Sequence, residues 1–182
     1  MIKARNVLIV IAAFVLSFAA GAFAQLKIGY INSEKVLQNY QAAIDASKKL
    51  EAESNKWGQE LQKMQQQFKD FQEKLQQQSL LLSDAKKKEK TQEIEALYLK
   101  IQQYQNEKWG QQGEYFKRQQ ELMGPVIQTI NETIHKIGKD EGFDYIFDTI
   151  AGNVLYAKDK YDLTDKLLEE LKKNQPAKTS GK

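Results

Sequence analysis

The single histidine of this 182-residue chain, His135, follows Glu132 at the E-x-x-H spacing. Helices of di-iron bundles use that spacing to offer a carboxylate and an imidazole to one metal. Such a centre needs a second pair, and the chain has no second histidine. Ile134 and Ile137 mark the inward side of the same helical stretch, which turns His135 outward. Asp159, Asp162 and Asp165 recur at short spacing but lack the glycine and closing glutamate of a calcium loop. Asp162 is better placed to cap a helix. Asn131-Glu132-Thr133 is a glycosylation sequon by pattern alone, in a helical setting that disfavours modification. Neither a glycine-rich phosphate loop nor a serine-nucleophile motif occurs in the sequence. No catalytic residue, cofactor or metal ligand is expected. The residues left with work to do are apolar and aromatic ones set in a polar chain.

The two tryptophans, Trp57 and Trp109, each sit in the tetrapeptide Lys-Trp-Gly-Gln. The long region around them is rich in Gln, Lys and Glu and has no proline from Leu26 to Gly124. Its apolar residues form a heptad seam at Leu50, Trp57, Leu61, Met64, Phe68, Phe71, Leu75 and Leu82. A second seam runs through Ile94, Leu97, Ile101 and Tyr104, then skips a residue to Trp109, Phe116 and Met123. Between the seams, Ser83 or Asp84 is suited to cap a new helix. Two antiparallel helices folded about residue 83 place residue i opposite residue 166 minus i. Trp57 then faces Trp109, Leu50 faces Phe116, and Phe68 faces Tyr98. The expected role of Trp57, Gly58, Trp109 and Gly110 is hairpin packing, each indole lying over the opposite glycine. That contact would offset the ~1 kcal/mol that each glycine costs a helix. Gly110, Gly113 and Gly124-Pro125 are candidate flex points, the last also a junction between shaft and body.

A thin hairpin buries little per residue, so stability must come from the chain ends. Leu26 to Ile31 reads as a strand. Val126, Ile127, Ile130, Ile134 and Ile137 mark an amphipathic helix that Gly142 stops. Phe143 to Phe147 and Val154 to Ala157 read as strands joined around Ala151-Gly152-Asn153. Asp162 or Thr164 caps a last helix with Leu167, Leu168 and Leu171 inward. Three short strands per chain leave exposed edges, and a barrel closed from several copies would cover them. The fold class is α+β, mostly α: a coiled-coil hairpin (46–123, tip near 79–84) on a small oligomeric body (25–45 and 124–173), with a frayed tail (174–182).

Residues 1–24 combine a basic start, an apolar run and Ala22-Phe23-Ala24, the marks of a secretory signal peptide cleaved after Ala24. The apolar run also reaches about the minimum length for an uncleaved anchor. Without Lys3 and Arg5 the mature chain carries 25 basic and 24 acidic residues. So weak a field argues against nucleic-acid binding. The absence of cysteine suits a bacterial periplasm at least as well as an animal extracellular space.

KIGYINSEKVLQNY (27–40) and GFDYIFDTIAGNVLYAKDKYDLTDKLLEEL (142–171) resemble the two ends of the Skp/OmpH family, periplasmic chaperones of outer-membrane proteins. The order of elements matches over the whole mature chain. The resemblance implies a homotrimer with a small β-barrel body built from all three chains. It implies three helical tentacles that enclose unfolded outer-membrane β-barrel proteins without nucleotide hydrolysis. Ile28, Tyr30, Phe143, Ile146, Val154 and Tyr156 would belong to the trimerisation body. Family members are often distinctly basic, whereas this chain is nearly neutral. Any contact with anionic lipid or lipopolysaccharide would be made at the tip, by Lys86, Lys87, Lys88 and Lys90. A solvated helix start explains the same lysines.

Holding a client without folding it calls for many weak contacts summed over a confined volume. Leu80, Leu81, Tyr98, Leu99 and Tyr115 lie off both seams and are the candidate client contacts, with tyrosine offering an apolar body and a polar tip. The competing function is a structural or adaptor coiled-coil hairpin of the cell envelope, its Leu-rich tip built for one partner.

Overall fold

The computed structural model describes residues 26–173. The expected signal peptide and the expected frayed tail lie outside the described residues. The element order is β1 (Ile28–Ile31), α1 (Ser33–Asn39), α2 (Gln41–Gln78), α3 (Asp84–Trp109), α4 (Glu114–Glu141), β2 (Tyr145–Asp148), a 3-10 turn (Asp159–Tyr161) and α5 (Thr164–Lys173). The 38 residues of α2 make an arm of roughly 57 Å. No helix among the described residues is long and apolar enough to cross a membrane.

Caps explain most boundaries. Asn32 opens α1 by accepting from the Lys35 amide at 2.8 Å. Ser83 opens α3 by accepting from the Lys86 amide at 3.4 Å. Gly142 closes α4 in the left-handed conformation at φ 67°, a position that favours glycine. Asp162 accepts from the Thr164 amide at 2.8 Å, and the Thr164 hydroxyl oxygen in turn accepts from the Asn32 amide at 2.9 Å. That relay ties the start of α5 to the end of β1.

The core sits at the root of the arms. Val36 of α1, Ala43 of α2, Ile130 and Ile137 of α4, and Leu167 and Leu171 of α5 are buried together there. Val36, Leu167 and Leu171 are fully enclosed. Along the arm beyond Leu50 the seam is only half-buried, apart from Ile101.

Three expectations change. First, β1 and β2 pair parallel, Ile28 with Tyr145 and Tyr30 with Phe147, and form a two-stranded sheet. Val154 to Ala157 forms no strand, and Leu155 is 96 % exposed. Gly152 does turn the chain, at φ 75°. One edge of β2 is taken by β1, and the chain after Gly152 does not return to the other edge. Extended backbone without a pairing edge has no ladder to fix it.

Second, α4 runs unbroken through Gly124-Pro125. Both residues face solvent, and the helix gives up the hydrogen bond that Pro125 cannot donate. Val126 and Ile130 are buried just beyond and hold the helix to the core. Of the candidate flex points, it is Gly110 and Gly113 that bound a break in the helix. Gly110 ends α3 by donating to the Asn106 carbonyl, and Gly113 opens α4 in an extended conformation. A Cβ on Gly113 would stand 2.8 and 2.9 Å from the Glu107 and Lys108 carbonyl oxygens, so the break admits only glycine there without a shift.

Third, the register is not uniform. On the tip side of the break, Trp57 meets Trp109 and Phe68 meets Tyr98, both pairs totalling 166. On the body side, Glu53 meets Arg118 and Ser47 meets Met123, totals of 171 and 170. The non-helical residues 110–113 advance the chain little along the arm and slip the register. Phe116, expected opposite Leu50, is left exposed while Leu50 is buried.

Candidate functional site: the arms and the outer face of the body

Trp57 and Trp109 pack edge to face, with ring centroids 6.3 Å apart and planes at 80°. The Trp109 indole N–H donates to the Ser54 hydroxyl at 3.2 Å. The Lys108 ammonium lies 5.1 Å from the Trp57 ring and 5.6 Å from the Tyr104 ring. The Tyr104 hydroxyl donates to Glu60 at 2.5 Å, and burial followed by that bond pushes its pKa up to about 12. This clasp ties α2 to α3 through the two indoles themselves. The expected packing of indole over glycine is not formed. A Cβ on Gly58 would meet nothing within 4 Å, and Gly110 is the cap of α3. The two rings pack on each other, and the space beside Gly58 stays open.

Below the break, Arg118 grips Glu53 with two bonds of 2.7 Å and also reaches Glu121. The hydrogen bond to Arg118 holds the Glu53 carboxyl below its ordinary range, and Arg118 is raised by the same bond. This fork fastens α4 to α2 where the slipped register begins.

The five candidate contact residues are all exposed, at separate levels of the arm. Leu80 (96 % exposed) and Leu81 (86 %) stand on the tip turn, which is closed by the Leu81 and Leu82 amides bonding to the Gln78 carbonyl. Tyr98 and Leu99 lie on α3, where with Phe68, Ile94 and Glu95 they line one shallow groove. The Tyr98 ring tilts against Phe68 at 6.0 Å. Tyr115 is in the first turn of α4. Phe71, Trp109 and Phe116, which the heptads place on the seam, are partly exposed as well, although Trp109 also packs across the hairpin as expected. The skipped residue before Trp109 was the signal that the seam could not stay closed there.

Three of the four tip lysines hold partners of their own. Lys86 bonds Glu89 at 2.5 Å, Lys90 bonds Glu93 at 2.7 Å, and Lys87 lies 3.6 Å from Asp84. Glu89 is lowered by Lys86, and Lys90 is raised by Glu93. In α4, the His135 ring Nδ1 is 2.8 Å from the Asn131 carbonyl oxygen, and Glu132 accepts from Gln128 at 2.8 Å.

At the body, the six assigned residues divide by strand alternation. Phe143 and Ile146 pack against the chain's own core. Ile28 and Tyr30 point outward and, by register, lie beside Tyr145 and Phe147. Tyr145 and Phe147 stack at 6.0 Å with planes 13° apart. Tyr30, Phe147, Val154 and Tyr156 line a single groove on this side. The inward face is closed: a Cβ on Gly29 would lie 2.6 Å from Leu163 Cδ1. A two-stranded sheet that is apolar on both faces has thus covered one and left the other open. Sequence reasoning left out Tyr145 on the open side, although strand alternation places it with Phe147.

The comparisons with known proteins agree with this architecture. The structure is similar to a crystal structure of an OmpH-like protein from Caulobacter crescentus CB15, with TM-score 0.70 and 15 % identity, covering 82 % of this chain and 86 % of that one. In sequence the chain is 28 % identical over 177 residues to chaperone protein Skp of Vibrio cholerae serotype O1, covering 94 % of this chain and 98 % of the relative. It is 27 % identical over 157 residues to chaperone protein Skp of Photorhabdus luminescens, covering 86 % and 92 %. The family model for outer membrane protein (OmpH-like) matches residues 27–171, which include both chain ends and the whole hairpin between them. The chain belongs to the OmpH-like family.

Proposed function

We propose that the protein is an ATP-independent holdase of the periplasm that keeps unfolded outer-membrane β-barrel proteins from aggregating before their insertion. The observation that carries this reading is a slender arm whose zipper does not use Leu80, Leu81 or Leu99, all of which stand in solvent. Relatives named as chaperones span nearly the same length, which supports it. Many such contacts, each weak, retain a client without fixing its conformation. The test dilutes an unfolded outer-membrane protein from urea into the mature chain without nucleotide. Suppressed light scattering is expected, and unchanged aggregation overturns the reading.

The finer assembly is part of the proposal. Three copies would join through the open sheet face, with Val154 to Ala157 pairing to a neighbour's strand and closing a barrel. Support comes from the apolar outer face of Ile28, Tyr30, Tyr145 and Phe147, a poor surface to leave in water. Export with cleavage after Ala24 would deliver the chain to the periplasm, and a mature amino terminus at Gln25 is the expected mass-spectrometric result. The exposed Leu80-Leu81 tip favours one second reading, an adaptor for a single partner. Similar binding of several unrelated β-barrel proteins would exclude it.

A further inference from the structure

The charges of the arms nearly cancel, which leaves a client little net field. Residues 41–123 contain 14 Lys and Arg against 13 Asp and Glu, a net of +1. Several of these charges are also satisfied within the arm. Besides the three tip pairs, Lys117 faces Glu114 at 3.4 Å and Arg118 is held between Glu53 and Glu121. Lys108 sits over the rings of Trp57 and Tyr104. Carboxylates accept from amide side chains as well, Asp70 from Gln66 at 2.9 Å and Glu107 from Gln103 at 2.8 Å. Among the charges still exposed, such as Lys63, Lys74 and Lys100, the arm surface offers mainly amide and apolar groups: 18 glutamines in the same span, the Leu80-Leu81 tip, and the groove of Phe68, Ile94, Tyr98 and Leu99.

We infer that the arms grip their client through these uncharged groups, so that capture is indifferent to the client's net charge and to salt. The inference rests on the holdase reading and names the chemistry of its contact surface. An unfolded β-barrel strand alternates apolar and polar side chains, which suits an apolar groove bordered by glutamine amides. Steering by long-range charge needs a field of one sign over the surface, and a span of net +1 does not supply one. Internal pairs three residues apart present dipoles rather than charges to a client, and these fade within a Debye length of about 10 Å at 0.1 M salt. Apolar contact behaves oppositely, since sulfate strengthens effective burial.

The experiment measures the affinity of the mature full-length protein for a urea-unfolded outer-membrane β-barrel protein. Sodium chloride is varied from about 50 to about 500 mM, so that the screening length shrinks well below the arm's length. A change of less than about threefold is expected, with tightening when sulfate replaces chloride. Two clients of like apolar content and opposite net charge should bind within about threefold of each other. Leu99→Gln should weaken binding by about three- to tenfold at both salt extremes, the exposed site leaving the melting temperature unchanged. Weakening of about tenfold or more across the salt range overturns the inference and leaves the holdase reading intact, as does a tenfold preference for the acidic client. Absence of binding at every salt concentration overturns both.

Discussion

Gly58 and Gly113 are chemically the same residue in two opposite settings. A Cβ on Gly58 meets nothing within 4 Å inside a long helix, so Gly58→Ala should stabilise the arm by about 1 kcal/mol, read in a thermal melt. At Gly113 a Cβ would press on the Glu107 and Lys108 carbonyl oxygens, so Gly113→Ala should lower the melting temperature. The Arg118 fork gives a signed pH effect. Glu53 has an ordinary value of 4.5 and is held below it in the folded chain. Its contribution is therefore present above about 4.5 and lost as pH falls through the lowered folded value. Glu53→Gln should remove part of the acid sensitivity of a melt between pH 7 and pH 3 while lowering stability at pH 7. Unaltered acid sensitivity would show that the fork does not couple to folding.

The elements of the arm and of the body are stabilised by different means, and they should respond differently to truncation. The body closes around the amphipathic α5, where Leu167 and Leu171 are fully enclosed. Leu171→Ala should cost about 2–5 kcal/mol, enough to unfold a marginal body in a denaturant titration. The tip turn carries its two leucines in solvent, so Leu80→Gln with Leu81→Gln should leave stability within about 0.5 kcal/mol. The same pair of changes should reduce protection of an aggregating client in the light-scattering assay. A large stability loss at the tip, or full protection without the leucines, would remove those residues from the contact surface. The interrupted helix at 110–113 belongs to this scale too. The second seam's skipped residue marked the place, but heptad spacing alone could not tell a stutter within one helix from a break between two.

For the molecule as a whole, the open sheet face is the feature that decides whether it exists alone. Tyr145, Phe147 and Ile28 occupy one side of a two-stranded sheet and stay 40–55 % exposed among the described residues. The proposed trimer predicts a native mass of three chains in sedimentation. Phe147→Lys should shift that mass toward a single chain, because an ammonium would then lie in the joint. A wild-type protein of one-chain mass would overturn the proposed assembly. The site follows the same division. Exposure of Leu80, Leu81 and Leu99 was legible from their positions off the heptads, whereas Phe71 and Phe116 carried seam spacing and are partly exposed all the same, Phe116 on the side of the break where the register slips.

The amino-acid pattern by itself determined the arm: heptads, the absence of proline up to Gly124, and a Ser83 cap dictate two helices and their turn, since each signal is local and repeats. It determined which ends fold together only in outline. Tertiary structure decided that β1 pairs with β2 in parallel, that Pro125 stays within a helix, and that the two indoles meet each other instead of the glycines. Those outcomes depend on contacts between residues far apart in the chain, on which side of a helix water can reach, and on how much length a four-residue break consumes. None of these is written in the spacing of neighbours.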